Sequence, residues 1–546
     1  MNIDKNQLLV YLDSDRSPRL KIKKYFMQTV KVERVRGVND ILPSTYQIDQ
    51  QIKSILSRNF ESYGYQPIDV PLIEYTELYL KKSGEDIISR LYDFIYRNRR
   101  LCLRPEFTAS VVRAYLDNLQ EVPLPVRLYY KGPVFRYEQP QKERYRQFTQ
   151  MGIELIGATG AIADGEVISL ASQGLGRLGL TEYQTFIGHV GVLNNFLDHL
   201  QLNTRLRSFL LSQMETLRTE GKEVVKNRLS EIYPAFKKDT SLAGELDTNT
   251  TNKKITDILQ NLEENEARTA IFELLESMNI ELTSTRAPEE IVDRLLVKIK
   301  HQDQTKELNQ ALEFMTELSQ LKGEPQAILK EAEKLLSGYN LVDDYGLAQL
   351  QDILKSLEAF NIDKNLISLD LGISRGLQYY TGMVFEIYDT KLGVERKLCG
   401  GGRYDDLVIS LGGKQEIPAT GFSYMMEELR KELVEKAHLS FNNYQFVEVL
   451  VVGLSRQDYS DSVRIAEKLR QLGLRVETDV IGRDIQSNIE YGNQQKIPFL
   501  IILNSAEKQD SKVLLQNLDS GEQKRLELHE VVNQVRNIKG NTNYQK

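Results

Sequence analysis

Two runs rich in β-branched and aromatic residues, Arg127–Tyr137 and Arg144–Gly157, flank a polar break at Glu138–Glu143 that contains Gln139-Pro140-Gln141. That layout dictates a long antiparallel hairpin, because proline cannot donate to a ladder and the polar tip belongs in water. Strand period two sorts the second arm by face. Arg144, Arg146, Phe148, Gln150, Gly152 and Glu154 share one side; Tyr145, Gln147, Thr149, Met151, Ile153 and Leu155 share the other. On the first arm, Arg136 and Glu138 share a face. The hairpin thus carries cations at its turn end, then an amide and a carboxylate further in. Glu154, set between Ile153 and Leu155, is expected to be partly desolvated and to require a cationic partner, a role a ligand ammonium would fill. Two readings fit this face: an arginine–carboxylate surface ladder, or guanidinium forks for a phosphate with an amino acid amine held deeper.

At 546 residues the chain exceeds one hydrophobic core, and three or four domains are expected. Residues 1–32 read as a solvated N-terminal extension with a basic stretch, Arg19–Lys24, and no apolar segment of the secretory type. From Ser44 the pattern turns helical, with Ile48, Ile52, Ile55 and Leu56 on one face, Ser44 or Thr45 as N-cap, and Gly64 as the stop. Arg99–Leu103 reads as a strand, after which Arg104-Pro105-Glu106-Phe107-Thr108 opens a helix. Residues 33–204 are expected to form the first part of a main domain. Between about 205 and 361 the chain becomes rich in Glu, Lys, Leu and Gln. Its stripes (Ile255, Ile258, Leu259, Leu262; Leu347, Leu350, Leu354, Leu357) have helical period, which predicts a helical insertion with an exposed loop at Asp239–Asn252. Strand patterns return at Leu366–Leu371 and Met383–Tyr388, and a helix is expected over Tyr424–Lys436, within a second part spanning 362–441. From 446 to 540, strands at Val447–Val452, Arg475–Thr478 and Phe499–Leu503 alternate with a Tyr459–Leu472 helix closed by Gly473. That alternation predicts a small α/β domain with a mostly parallel sheet.

The net charge of −7 excludes a uniformly basic nucleic-acid coat while leaving room for a local basic face. Two distant cysteines, Cys102 and Cys399, form no disulfide framework and point to a reducing, cytoplasmic setting. The five histidines show no metal-ligand spacing, so no protein-held metal is expected. No apolar run is long enough to span a bilayer.

Phe135-Arg136-Tyr137-Glu138, Pro140-Gln141 and Arg144-Tyr145-Arg146-Gln147-Phe148 together resemble motif 2 of class II aminoacyl-tRNA synthetases in its histidyl form. Arg36-Gly37-Val38-Asn39-Asp40-Ile41-Leu42-Pro43 and the helix after it, to Pro71, resemble the opening and motif 1 of that family. Ser374-Arg375-Gly376-Leu377-Gln378-Tyr379-Tyr380-Thr381-Gly382 is similar to its histidine signature, and Gly400–Asp405 to its glycine-rich strand. The C-terminal unit resembles the anticodon-binding domain, with Gly482-Arg483 through Asn488 and Tyr491 at the RNA-facing helix start. The motifs stand in the family's order, and the ordered set is specific. The resemblance implies an α+β catalytic domain on an antiparallel sheet, a helical insertion and an α/β anticodon-binding-like domain. It implies ATP-dependent activation of histidine, transfer to tRNA(His), Mg²⁺ with the ATP, and a homodimer through the motif 1 helix. It assigns Arg136 and Arg375 to catalysis, Arg136, Glu138 and Arg144 to ATP, and Glu106, Thr108, Gln150, Glu154, Arg375, Tyr379 and Tyr380 to histidine.

The sequence departs from that pattern at several positions. Aligning Gly421-Phe422 places Met425 where the family has glycine, and Glu428 where it has the arginine that packs on adenine. Arg430 lies about 200° further round a helix, and Lys431 shares the right side without a planar surface. Gln378 stands for an aspartate, Gln139 for an arginine and Phe107 for a glycine. Phe107, Phe148-Thr149-Gln150 and Gly152–Gly157 are similar to the regulatory subunit of ATP phosphoribosyltransferase, a relative that makes no aminoacyl-tRNA. Two functions are therefore expected: a histidine–tRNA ligase, or a catalytically impaired paralogue that binds histidine as a sensor or regulatory subunit.

Overall fold

The computed structural model describes residues 33–81, 88–137, 145–202, 204–232, 269–271, 273, 304–341, 346–373, 379–389, 396–436, 446–503 and 512–541. Glu138, Arg144 and Arg375 lie outside these residues, as do the 1–32 extension, the Asp239–Asn252 loop and the 255–262 stripe. The chain divides into two compact units, one built from 53–177 and 181–429 with the segment before Pro43, the other from 43–52, 178–180 and the residues from Arg430 on.

In the first unit the strands are β1 Gln66–Pro67, β2 Ile73–Tyr75, β3 Asp93–Tyr96, β4 Arg99–Leu103, β5 Val126–Phe135 and β6 Gln147–Ile156. They continue as β7 Tyr183–His189, β8 Lys322–Gly323, β9 Ile367–Asp370, β10 Met383–Asp389, β11 Arg396–Arg403 and β12 Ala419–Met425. Nine of them form one sheet in the order β1-β5-β6-β12-β11-β10-β7-β9-β8, and β2-β4-β3 form a small second sheet. The large sheet is antiparallel from β5 through β7, but β1 joins β5 and β9 joins β7 in parallel. The expected antiparallel sheet is therefore mixed at its margins. The hairpin is continuous from Val126↔Ile156 to Phe135↔Gln147. β6 is buried at nearly every position, so neither of its faces reads as a solvated ladder.

One face of the sheet is closed by helices. Phe60, on helix Pro43–Glu61, stacks on Tyr424 with centroids 6.3 Å apart and meets Phe422 edge-on. The Tyr424 hydroxyl donates to Ala171 O at 2.5 Å, an approach that the missing side chain of Gly174 permits. The Pro43–Glu61 helix starts one residue earlier than its expected cap. Pro43 occupies the first turn and Leu42 is the N-cap, with no side-chain cap bond. Proline's fixed φ favours that position, and it outweighs the capping hydroxyls of Ser44 and Thr45.

The stretch from 205 to 361 contains helices Thr204–Ser212, Met214–Glu220, Lys222–Ile232, Thr305–Gln320, Pro325–Gly338 and Gly346–Ala359 among the described residues. It also supplies β8, the last strand of the large sheet. Leu347, Leu350, Ile353 and Leu357 are the buried stripe of the last helix, and Gln349 Oε1 lies 2.8 Å from His189 Nε2 at the end of β7. The end of this stretch is thus part of the sheet's covering layer.

The second unit holds β13 Val449–Gly453, β14 Val476–Thr478, β15 Phe499–Leu503, β16 Lys512–Asn517 and β17 Gln523–Glu527, in the order β14-β13-β15-β16-β17. β14, β13 and β15 are parallel, and β16 and β17 add an antiparallel edge that the sequence did not reveal. Val449, Val451, Phe499 and Ile501 point to one core with Ala466 and Leu469; Leu450, Val452 and Leu500 point to the other. Two buried faces explain why these strands read as continuous apolar runs. Helix Tyr459–Gln471 ends at Gly473, whose φ of 88° calls for glycine.

Candidate active site

The face of the large sheet that bears Glu154 has a floor of glycines. Across the ladder, Glu154 pairs with Gly421, Gly421 with Gly402, Gly152 with Ser423, and Ser423 with Gly400. A Cβ on Gly421 would overlap Glu154 Oε2, and one on Gly402 would lie 2.8 Å from the Tyr380 ring. Only bare backbone lets these side chains lie across the strands.

Glu154 sits on this floor, 1% exposed. Thr108 Oγ1 donates to its Oε1 at 2.8 Å and the Tyr130 hydroxyl to the same oxygen at 3.2 Å; the Tyr404 hydroxyl meets Oε2. Three neutral hydroxyls surround it, and among the described residues no lysine or arginine pairs with it. Burial pushes its carboxyl up to about 8, and the hydroxyls only partly offset that rise. Burial also raises the Tyr130 and Tyr404 hydroxyls well above the ordinary tyrosine range, with the charge of Glu154 adding to the effect, so both remain neutral donors.

Glu106 is equally buried but differently occupied. Its carboxylate accepts from the backbone N–H groups of Thr108 at 2.5 Å and Ala109 at 3.0 Å, satisfying the N-terminus of helix Thr108–Asn118. Burial raises its pKa, while the two N–H donors and then the Arg136 charge pull it down. Arg136 donates through Nε to Pro105 O at 2.9 Å and lies over the Phe148 ring at 5.2 Å. Gln150 is buried, and its Oε1 has no protein partner among the described residues. Tyr379 is buried against Tyr404, edge-on at 5.7 Å, and against Tyr380 at 4.8 Å. Glu106, Thr108, Gln150, Glu154, Arg136, Tyr379 and Tyr380 are thus all placed on or beside one face. Arg146, by contrast, stacks on Tyr137 at 4.2 Å and receives the opening segment: its N–H donates to Gly37 O at 2.7 Å.

Sequence reasoning missed how the wall is braced. Arg403, at the end of β11, forms a buried ion pair with Asp164 at 2.8 Å and also bonds Asp405 at 3.0 Å. Its carbonyl accepts the Thr381 N–H at 2.9 Å, which fixes the end of the signature segment. At the other end Asp370 accepts from Gly372 N at 3.1 Å and Arg218 at 2.9 Å. Residues 239 apart in the chain leave no local pattern by which to pair them.

A histidyl-tRNA synthetase family model matches residues 37–293 and 269–429, and an anticodon-binding-domain model matches 448–538. A protein of Methanococcus aeolicus named histidine–tRNA ligase is 32% identical over 505 residues, covering 92% of this chain and 99% of that one. The namesake from Methanocaldococcus jannaschii matches equally, at 32% over the same shares. The chain belongs to the histidyl-tRNA synthetase family. The fold agrees: a histidyl-tRNA synthetase structure from Nostoc sp. PCC 7120 superposes with a TM-score of 0.58 at 20% identity, over 93% of this chain and 99% of that one.

The third motif follows β12. The helix runs Met426–Glu435, not from Tyr424; Tyr424 and Met425 still belong to β12, where Met425 pairs with Gln150. Glu427 accepts the Thr149 N–H at 2.9 Å, and Glu428 pairs with Arg396 at 3.5 Å. Glu428, which stands where the resemblance calls for an arginine, is thus paired with an arginine of β11. Arg430 is committed elsewhere, to Asp49 at 2.6 Å. Among the described residues no group of three or more acidic, His or Cys side chains is placed to hold a metal, and no helix is long and apolar enough to cross a membrane.

Proposed function

We propose that this chain joins histidine to tRNA(His) through a histidyl-adenylate, using ATP. The observation that carries the reading is Glu154: a buried carboxylate held by three hydroxyls, with the unpartnered Gln150 Oε1 on the same strand face. A buried carboxylate without a cation is costly, and a ligand ammonium supplies the missing charge. Glu154 and Gln150 take the α-amino group, with Thr108 beside them. Glu106 acts by fixing the helix start from which Thr108 projects. Tyr379 and Tyr380 flank the histidine.

Catalysis follows from positioning. A histidine carboxylate oxygen attacks the α-phosphorus in line, the bond to pyrophosphate breaks, and negative charge grows on the phosphoryl oxygens. Arg136 and Arg375 stabilise that charge, Arg144 holds the outer phosphates, and Glu138 meets the adenine amine. A ribose hydroxyl of the tRNA terminus then attacks the acyl carbon and releases AMP. Mg²⁺ would accompany the ATP and supply positive charge to its phosphates. The C-terminal unit holds the anticodon loop, and a cytoplasmic homodimer through the Pro43–Glu61 helix completes the proposal.

The paralogue reading rests on the altered third motif, Met425 and Glu428, and on Phe107. The Arg396 contact balances the charge of Glu428 without supplying the arginine that packs on adenine, and relatives named histidine–tRNA ligase that match over 92% of this chain favour the ligase. Histidine-dependent exchange of labelled pyrophosphate into ATP, followed by charging of tRNA(His), tests the reading. Exchange and charging support it; histidine binding with neither overturns it.

A further inference from the structure

Phe107 lies between two partners that continue to the amino acid site. The Arg104 guanidinium sits 3.9 Å above its ring centroid, and the Tyr130 ring stacks on the opposite side at 4.3 Å with planes 7° apart. Arg104 is itself 2% exposed and immobilised by backbone: Nη1 donates to Val70 O at 2.5 Å and Nε to Pro133 O at 2.9 Å. Two glycines make room. A Cβ on Gly132 would come 2.6 Å from Arg104 Nη2 and 3.1 Å from Phe107 Cζ, and one on Gly152 would come 2.7 Å from the Tyr130 hydroxyl. The stack ends where the Tyr130 hydroxyl donates to Glu154 Oε1.

We infer that the Arg104–Phe107–Tyr130 stack is a positioning device, with Phe107 and Arg104 acting through the Tyr130 hydroxyl to hold Glu154 aimed at the histidine amine. The inference rests on the reading that Glu154 takes that amine. The Tyr130 hydroxyl lies over Gly152, where no side chain stands beneath it, so the orientation of its ring depends on what packs against its face. A flat ring pinned by a buried cation supplies that support, since stacked aromatic pairs and desolvated cation–π contacts each favour one geometry. Leucine at 107 would keep the apolar contact and lose the plane. Phe107 is thus a positioning residue, acting through Tyr130.

The test is a double-mutant cycle on the full-length protein, read by pyrophosphate exchange with KM for histidine, KM for ATP and kcat separated. Tyr130→Phe removes a single oxygen and Phe107→Leu removes the stacking plane. Each is expected to raise KM for histidine about tenfold, the usual consequence of losing a hydrogen bond to a charged group, with KM for ATP unchanged. The double variant is expected to be no worse than either single, because both act on one contact. In Tyr130→Phe, where one donor to the carboxylate is gone, the pH at which KM for histidine levels off is expected to move upward. Additive losses, or equal rises in both KM values, would overturn the inference by showing general packing damage. Should Phe107→Leu fail to fold, Tyr130→Phe decides alone: an unchanged KM for histidine overturns the inference. Glu154→Gln separates the two layers. If it raises KM for histidine while Tyr130→Phe and Phe107→Leu do not, the positioning role alone falls. If it changes nothing, the reading of Glu154 falls and takes the positioning role with it.

Discussion

Gly421 of β12 lies directly across the ladder from Glu154 of β6, and any side chain on Gly421 would occupy the space of the Glu154 carboxylate. The position of this carboxylate is therefore set by a neighbour with no side chain. Gly421→Ala is expected to displace the carboxylate and raise KM for histidine at least about tenfold, consistent with losing a charge-assisted contact. Steady-state pyrophosphate exchange measures it. An unchanged KM would show that Glu154 has freedom the close packing denies.

Glu154 also sets a pH dependence. Its carboxyl stands at about 8 in the folded, unliganded protein, against about 4.3 in an unfolded chain. The native state therefore holds the proton more tightly than the unfolded one. This contribution to stability is full below the unfolded value and is lost as pH rises through about 8. Denaturant midpoints without ligand are expected to fall between pH 6 and 8 by this route, and Glu154→Gln is expected to remove that component. Binding of an ammonium requires the carboxylate, so histidine affinity is expected to climb over about pH 7 to 8, above the substrate imidazole's own titration near 6.5. Calorimetry in buffers of different ionisation heat should register proton release on binding.

The Arg403–Asp164 pair braces the glycine-rich strand from inside the protein. Asp164→Asn leaves a buried guanidinium whose one remaining ionic partner among the described residues is Asp405, a third exposed. A loss of about 3 kcal/mol in unfolding free energy is expected. The double variant Asp164→Asn, Arg403→Met should recover part of it in urea titrations.

Much of the site was legible where it depends on strand parity. The alternation through Phe148, Gln150, Gly152 and Glu154 put one carboxylate and one amide on the face where they stand, and the neighbouring Ile153 and Leu155 signalled desolvation. Parity could not supply the partners. Thr108, Tyr130 and Tyr404 converge on Glu154 from three separate segments, and which of them meet is a matter of sheet order. β12 sits between β6 and β11, so Gly421 touches Glu154 across 267 residues of chain. The third motif was misread at its start because Tyr424 and Met425 have no pattern that separates a strand end from a helix beginning; their ladder bonds to β6 decide it. The partner of Glu428, Arg396, was not legible either, because it approaches from β11, 32 positions earlier in the chain.

In the C-terminal unit, Asp479 gathers the loop before helix Ile485–Gln494, accepting from Ile481 N at 3.2 Å, Arg483 N at 2.5 Å and Asn488 Nδ2 at 3.2 Å. Arg483 rests over the Tyr491 ring at 4.0 Å. Asp479→Ala is expected to loosen this surface, raising KM for tRNA about tenfold through lost stacking and order while leaving pyrophosphate exchange intact. Comparing the two assays on one preparation checks it.

The most direct test of Glu154's role changes the ligand and the protein together. Histidine and its analogue with hydroxyl in place of the amine are titrated calorimetrically into the wild-type protein and into Glu154→Gln at pH 8. The expected result is a loss of roughly 10- to 100-fold on removing the amine from the ligand with wild-type protein, shrinking to a few-fold with the variant. An equal loss in both proteins would contradict the account, since the amine would then be held by something other than Glu154.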